Sequence, residues 1–413
     1  MKVVQVPRRF TREQWGGTET VILETCRRLP ALGCQTLVVC PSALARPGPD
    51  QVAGVEVQRL PYFYPYLGLS PSAREAMDQV AGNLFSWSLL HRLLTLPGLD
   101  LIHLHTGKRL GGIGRVAARR RGIPYLVSLH GGALEVPAAE AARLGERSGR
   151  AWEWGKLLGW LVGSRRVLRD AAAVICLNRA EQQRLEKELP GQRVELIPNG
   201  VNPAALAAGD GPAFCQAQGI DPTRRLLSVV GRLDPQKDQL AVVEALPALL
   251  VRHPDLHLLL LGPVTNPDYA ALVRRRVAEL GLEERVSLVP GLPPGSPALA
   301  GAYAASAALV LPSRHEPFGI VILEAWAAGL PVVGRGVGGV RDLVEDGRDG
   351  LVFAEDDPAG LVRGLDQILS DPELARRLGE QGRAKALAHY TWDAVSQRLY
   401  RLYRELATAH PVR

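Results

Sequence analysis

Short apolar runs alternate with stretches of helical period along nearly the whole chain, and this alternation constrains the fold more than any other feature. In the first half, strands are expected at about residues 2–6, 35–41, 55–60, 100–105, 124–129, 172–177 and 194–197. Strands and helices packed in that rhythm imply a parallel sheet covered on both faces. After IPNGVN (Ile197 to Asn202) comes a variable stretch to about Arg224; the alternation then resumes and runs to about Leu369. The reading is an α/β chain of two doubly wound parallel-sheet domains, residues 1–200 and 201–390. At 413 residues, 46% of them hydrophobic, the chain is long and apolar enough to bury two cores. Gly and Pro are scattered singly, as punctuation of many short βα units.

Two glutamates stand out in SRHEPFGIVILEAWAAGLPVV, Ser313 to Val333. The run AALVLPS before them reads as a buried strand ending near Pro312, and Gly319 to Ala328 as a helix. Glu316 is therefore expected in the loop at a strand's carboxyl end, where open α/β sheets bind ligands, with Glu324 a turn inside the helix. The N–H groups of Phe318, Gly319 and Ile320 form a helix N-terminus suited to an anionic or oxygen-rich ligand. Two unrelated surface glutamates would carry neither the Pro-Phe-Gly after the first nor the strand that follows the second. A second strand, Leu226 to Val230, runs into GRLDPQKD (Gly231 to Asp238) and a helix from about Gln239 to Val251. Arg232 and Lys237 on this loop, a planar fork and a compact charge, together suit a diphosphate.

Glu316 and Glu324 with the intervening PFGIVILE resemble the E-x7-E signature of retaining glycosyltransferases of the two-Rossmann-domain GT-B fold, especially glycosyltransferase family 4, the glycogen synthase-like or group 1 transferases. GRLDPQKD resembles that family's G-R-x-x-x-x-K-G element, with Asp238 where Gly is usual. The resemblance implies two Rossmann-like domains facing across a cleft, with the last helix, about Thr391 to Thr408, crossing back to the first. It implies that Glu324 accepts from the nucleotide ribose, that Glu316 and the amides of Phe318, Gly319 and Ile320 hold the sugar, and that Arg232 and Lys237 stabilise the departing diphosphate. The partners it implies are a nucleoside-diphosphate sugar donor carrying a hexose-type sugar and a glycan, glycolipid or small-molecule hydroxyl as acceptor, as in cell-envelope polysaccharide or glycolipid synthesis. An epimerase or hydrolase of sugar nucleotides on the same fold, and a non-catalytic transferase subunit, stay open as alternatives.

In the first domain, Trp15, Gly16, Gly17, Thr18 and Glu19 follow the first strand, with a helix beginning at about Thr18. By the resemblance, Gly16 and Gly17 face the donor diphosphate, while Glu19 reads as a first-turn residue favoured by the helix dipole. His130, ahead of Gly131 and Gly132 at the end of IPYLVSLHGG, is expected to touch the donor sugar and is counted among the catalytic residues. His103 and His105 in LIHLHTG are expected on opposite faces of their strand, His105 being the one to reach the ligand. Gly112, Gly114 and Ala117 fit a G-x-G-x-x-A dinucleotide fingerprint, but they follow an internal strand and the next strand lacks the ribose-binding acid.

No metal-ligand pattern is present, so no cofactor is expected and protein groups must meet the diphosphate charge. The five cysteines, Cys26, Cys34, Cys40, Cys176 and Cys215, lack metal or disulfide spacing and read as reduced core thiols. MKVVQVPRRF offers no signal-peptide core, and no apolar span is long enough to cross a bilayer, so the chain is expected in the cytoplasm. Residues 1–190 hold 26 Lys+Arg against 16 Asp+Glu, a net +10, which leaves −3 for the rest of a chain totalling +7. Basic residues gather at Arg8, Arg9, Arg12, at Arg115 to Arg121, and along an expected helical region from about Ala138 to Arg169 that also carries Trp152, Trp154 and Trp160. That composition suits peripheral contact with an anionic membrane; the alternative is that the tryptophans pack in the core. Nucleic acid is not expected, since no recognition motif accompanies the charge.

Overall fold

A computed structural model describes residues 1–12, 15–80, 83–131 and 151–409. The chain forms two compact units, Met1–Pro198 with Val395–Arg413, and Asn199–Ala394.

The first unit is built on an eight-stranded sheet of β1 (Lys2–Val6), β2 (Gln35–Pro41), β3 (Gly48–Val52), β4 (Val55–Leu60), β6 (Leu101–Leu104), β7 (Tyr125–Ser128), β9 (Ala173–Cys176) and β10 (Val194–Leu196); β5 (Tyr66–Leu67) and β8 (Trp152–Glu153) pair separately. The spatial order is β10-β9-β7-β6-β1-β2-β4-β3. All pairings are parallel except β3 with β4, an edge hairpin turned at Ala53 and Gly54, both with positive φ. That strand was not foreseen, because Ala-Gly lacks the Asn or Asp that usually marks such a turn. The apolar faces pack into a core that includes Val4, Leu104, Val127 and Val174 with Leu89 and Leu93 of the helix Trp87–Thr95.

The order reverses at one place. From β1, the chain builds outward through β2 and β4 on one side and through β6, β7 and β9 on the other, so the crevice between the carboxyl ends of β1 and β6 is a topological switch point.

The second unit repeats the device with six parallel strands: β11 (Arg225–Val230), β12 (Leu256–Leu261), β13 (Val286–Val289), β14 (Ser306–Leu311), β15 (Val332–Arg335) and β16 (Leu351–Phe353). Their order is β13-β12-β11-β14-β15-β16, which places the switch point between β11 and β14. LLLL in β12 and ALVL in β14 are buried along their length because helices cover both faces. The two sheets give the doubly wound pair of Rossmann-like domains of the GT-B fold.

Part of the expected helical region from Ala138 to Arg169 falls on residues 132–150, outside the described residues. The remainder is not one helix: it holds β8, a six-residue helix Lys156–Leu161 and a 3-10 turn at Ser164–Arg166. Gly163, left-handed at φ 64°, stops the helix. Trp154 stacks on Phe63, but Trp152 and Trp160 are 65% and 77% exposed.

In the second unit, the helix Ile320–Ala327 is braced from behind by the helix Pro372–His389. Trp326 is fully buried, its Nε1–H donates to Asp349 O at 2.9 Å, and Gly382 lies against its indole so closely that a Cβ would overlap it. Gly382→Val should therefore cost about 1–3 kcal/mol through overpacking, read as a lower urea midpoint. A midpoint equal to wild type would mean that the indole can move aside.

Candidate functional site

Sheet order brings together two loops far apart in sequence. Val230 of β11 leads into Gly231–Asp238, Leu311 of β14 leads into Pro312–Gly319, and these strands are neighbours. Lys237 Nζ donates to Glu316 Oε2 at 2.5 Å, with side-chain exposures of 17% and 8%, and Ser313 Oγ donates to the same oxygen at 3.3 Å. Backbone and amide bonds strap the loops further: Arg314 N–H to Gln236 O at 2.8 Å and Gln236 Nε2–H to His315 O at 2.9 Å. Sequence reasoning gave Lys237 to a diphosphate and Glu316 to a sugar; here the two are partners of each other. An ammonium has three N–H donors, so Lys237 can hold Glu316 and still offer two to a phosphate. Arg232 is more loosely held, donating to Gln236 Oε1 at 3.3 Å.

The helix after Glu316 begins at Ile320 behind Gly319, whose φ of 92° is open to glycine at little cost. Among the described residues the N–H groups of Phe318, Gly319 and Ile320 have no acceptor, so three donors stand within four residues of Glu316 at the start of the helix. Behind the loop runs Val337-Gly338-Gly339: Gly339 N–H donates to Glu316 O at 2.8 Å, and a Cβ on Gly338 would overlap that same carbonyl. Sequence reasoning passed over this glycine pair, although Gly-Gly two residues beyond a strand was a usable signal.

Glu324 sits inside the helix and is partly exposed. Tyr303, wholly buried, donates its hydroxyl to Glu324 Oε2 at 2.5 Å, leaving Oε1 to a ligand. Burial raises the Glu324 pKa and the Tyr303 bond partly offsets this. Asp238, the departure from the usual glycine, adopts φ 50° and is buried, its carboxylate meeting Arg314 Nε at 3.0 Å and Arg335 Nη2 at 2.8 Å.

In the first unit the switch point carries a run of neutral polar groups, with Glu19 and its ion-pair partner Arg9 on the helix side. Gly16 caps the helix Gly17–Arg28, and its N–H is taken by Glu19 Oε2 at 3.1 Å; Glu19 is buried, which raises its pKa. His130 Nε2 lies 2.7 Å from His105 Nδ1, and His105 Nε2 lies 2.7 Å from Gln5 Oε1. His103 bridges Tyr403 Oη at 2.6 Å and Ser128 Oγ at 2.7 Å. The expectation that His103 and His105 face opposite ways is overturned: residues two apart on a strand share a face, and the rings stand 4.1 Å apart. Gly132 lies outside the described residues. Gly112 and Gly114 lie inside the helix Lys108–Arg121, where a Cβ would overlap Val162 and Leu104; they are packing glycines. The five cysteines are free and buried, and no group of three or more His, Cys, Asp or Glu able to hold a metal occurs among the described residues.

Burial, and then the charge of Arg8, lower the His130 pKa to about 4; burial takes His103 and His105 well below their usual value. Between about pH 6.5 and 4 the unfolded chain therefore binds more protons at these rings than the folded one, and stability falls as pH falls. His130→Gln should lose less melting temperature than wild type between about pH 7 and pH 5. Equal losses would show that His130 titrates normally in the folded protein.

Comparison with known proteins gives the family. Residues 212–385 match the family described as Glycosyl transferases group 1, and residues 16–200 match the Glycosyl transferase 4-like domain. D-inositol 3-phosphate glycosyltransferase of Frankia alni is 33% identical over 320 residues, covering 75% of both chains. The protein of the same name from Thermobispora bispora is 30% identical over 405 residues, 94% of this chain and 90% of its own. Among solved structures, sucrose-phosphate synthase from Thermosynechococcus elongatus superposes with a TM-score of 0.73 at 23% identity, over 99% of this chain and 100% of that one. Anabaena HepE in complex with UDP and glucose gives 0.72 at 20%, over 98% and 100%. With both halves matched and relatives aligned over most of their length, the chain belongs to the group 1 glycosyltransferases of family 4 and is a glycosyltransferase enzyme.

Proposed function

We propose that this glycosyltransferase moves a hexose-type sugar from a nucleoside-diphosphate sugar to an acceptor hydroxyl, with retention of anomeric configuration and without a divalent metal. The observation that carries the reading is the Lys237–Glu316 pair at the β11–β14 switch point, beside three N–H groups without an acceptor. In this reading Glu324 accepts from the ribose through Oε1 while Tyr303 holds Oε2. Glu316 and the amides of Phe318, Gly319 and Ile320 take sugar hydroxyls. Arg232 and the remaining donors of Lys237 meet the diphosphate, whose charge grows as the glycosidic bond breaks. Gly16, Gly17 and His130 add contacts to the donor. The departing diphosphate removes the acceptor proton on the face it leaves. The names of the relatives make inositol 3-phosphate the first acceptor to try.

We further propose that the first unit rests on an anionic lipid surface. Trp152, Trp160 and Leu157, the last 63% exposed, lie near Lys156, Arg165, Arg166 and Arg169, all exposed, so apolar insertion and charge attraction act from neighbouring stretches of chain.

The decisive measurement is proton NMR of the first product formed: its anomeric configuration should match the donor, and an inverted product rejects the mechanism. Lys237→Ala should lower turnover by about two to four orders of magnitude, as expected for loss of a transition-state donor. Because it also strands the buried Glu316 carboxylate, it should lower the melting temperature too. A rate that collapses in excess chelator and returns with magnesium or manganese overturns the metal-independent reading. For the lipid contact, Trp160→Ser should weaken binding to phosphatidylglycerol vesicles about tenfold, the worth of one aromatic anchor; equal binding of wild type to phosphatidylcholine vesicles discards the charge argument.

A further inference from the structure

Six side chains from four segments of the first unit form one buried polar chain: Ser128, His103, Tyr403, Gln5, His105 and His130. Besides the four contacts to ring nitrogens, Gln5 Nε2–H donates to Tyr403 Oη at 3.1 Å. Each neutral imidazole has one N–H and one lone pair, so fixing the proton on one ring fixes it on its neighbours. Gln5 Oε1 only accepts; His105 must therefore carry its proton on Nε2 and offer a bare Nδ1. His130 must then donate through Nε2, which leaves His130 Nδ1 bare. That atom is buried and has no hydrogen-bond partner among the described residues.

Turning the Gln5 amide over would reverse every bond in the chain and put the proton on His130 Nδ1. Two facts oppose this. It would strand a buried N–H donor, which native structures leave without a partner far less readily than an acceptor. It would also turn that N–H dipole toward the charge of Arg8, which already disfavours a proton on the ring.

We propose that Gln5 and His105 are positioning residues, which fix His130 as the Nε2–H tautomer and so present its Nδ1 lone pair to a hydroxyl of the substrate. This rests on the reading of His130 as a substrate contact. His130 then acts as a neutral acceptor and not as a proton donor to the leaving group. A hydroxyl is accepted there, whereas an ether or deoxy carbon leaves the lone pair buried without a donor.

The experiment is long-range nitrogen–proton NMR of the histidine rings in the full-length, 15N-labelled protein, with His130 assigned by its absence from His130→Gln. Wild type should show His130 with Nε2 protonated and Nδ1 bare. In His105→Phe, which keeps a ring but loses the acceptor, that pattern should be lost and kcat/KM should fall about tenfold, the worth of one neutral hydrogen bond. His105→Asn returns a carbonyl oxygen near the place of Nδ1 and should recover both. A protonated His130 Nδ1 in wild type overturns the wiring. Wild-type kcat/KM in His105→Phe, with the ring pattern lost, overturns the positioning role. The ring pattern is read without substrate, so its failure is separate from any failure of the transfer mechanism.

Discussion

The ion pair between Lys237 and Glu316 is the constraint on which the second unit's site depends. Its two residues stand on loops that leave adjacent strands, and a carboxylate as buried as Glu316 is costly without a partner. One pair thus holds both loops at the spot where the sheet order reverses. Topology made the crevice, because crossovers from β11 and β14 leave in opposite directions; electrostatics fixed what lines it. The Gln236 straps add direction but no charge, so the pair can share its ammonium with an anion without unfastening the loops.

The first unit solves the same geometric problem with neutral groups. Its switch point, between β1 and β6, is lined by imidazoles, an amide and two hydroxyls whose hydrogen bonds run in a single sense, and burial keeps the rings uncharged. An ion pair at the centre of the second unit's site and a run of neutral groups in the first suit different tasks. A preorganised cation stabilises charge that develops during reaction, whereas a neutral chain fixes where single protons sit. A cationic His130 would keep its bond to His105 but bury a second N–H, at Nδ1, without an acceptor among the described residues and set its charge against Arg8.

Much of this was legible in the sequence, because doubly wound sheets write their strands as apolar runs. KVVQV, LVVC, LIHL and LLSVV all fell where periodicity put them, and the E-x7-E loop reads locally because its chemistry is local. What periodicity missed was long-range. Tyr403 reaches His103 across 300 residues, and Tyr303 reaches Glu324 from a helix whose sequence is simply apolar. Gln5 did leave a trace, a polar residue in an otherwise apolar buried strand, which asks for a partner. The histidine pair failed for a different reason, a miscounted period, and the edge strand β3 failed because Ala53 carries no turn signal. The region around Trp152 and Trp160 has amphipathic composition, yet Gly155 and Gly163 bound a helix of only six residues within it, which no helical average would reveal.

Asp238 shows how a departure from a family pattern can be read physically. A left-handed residue that is not glycine carries steric strain, though Asp tolerates the region better than most. Its carboxylate meets Arg314 from the loop after β14 and Arg335 at the end of β15, so the strain is offset by two charge-assisted contacts that glycine could not make. The two acids of the loop pair are thus met by different bases: Asp238 by the guanidinium groups of Arg314 and Arg335, and Glu316 by the ammonium of Lys237, so that residues 237 and 238, adjacent in sequence, tie the first loop to the second through two separate sets of charges.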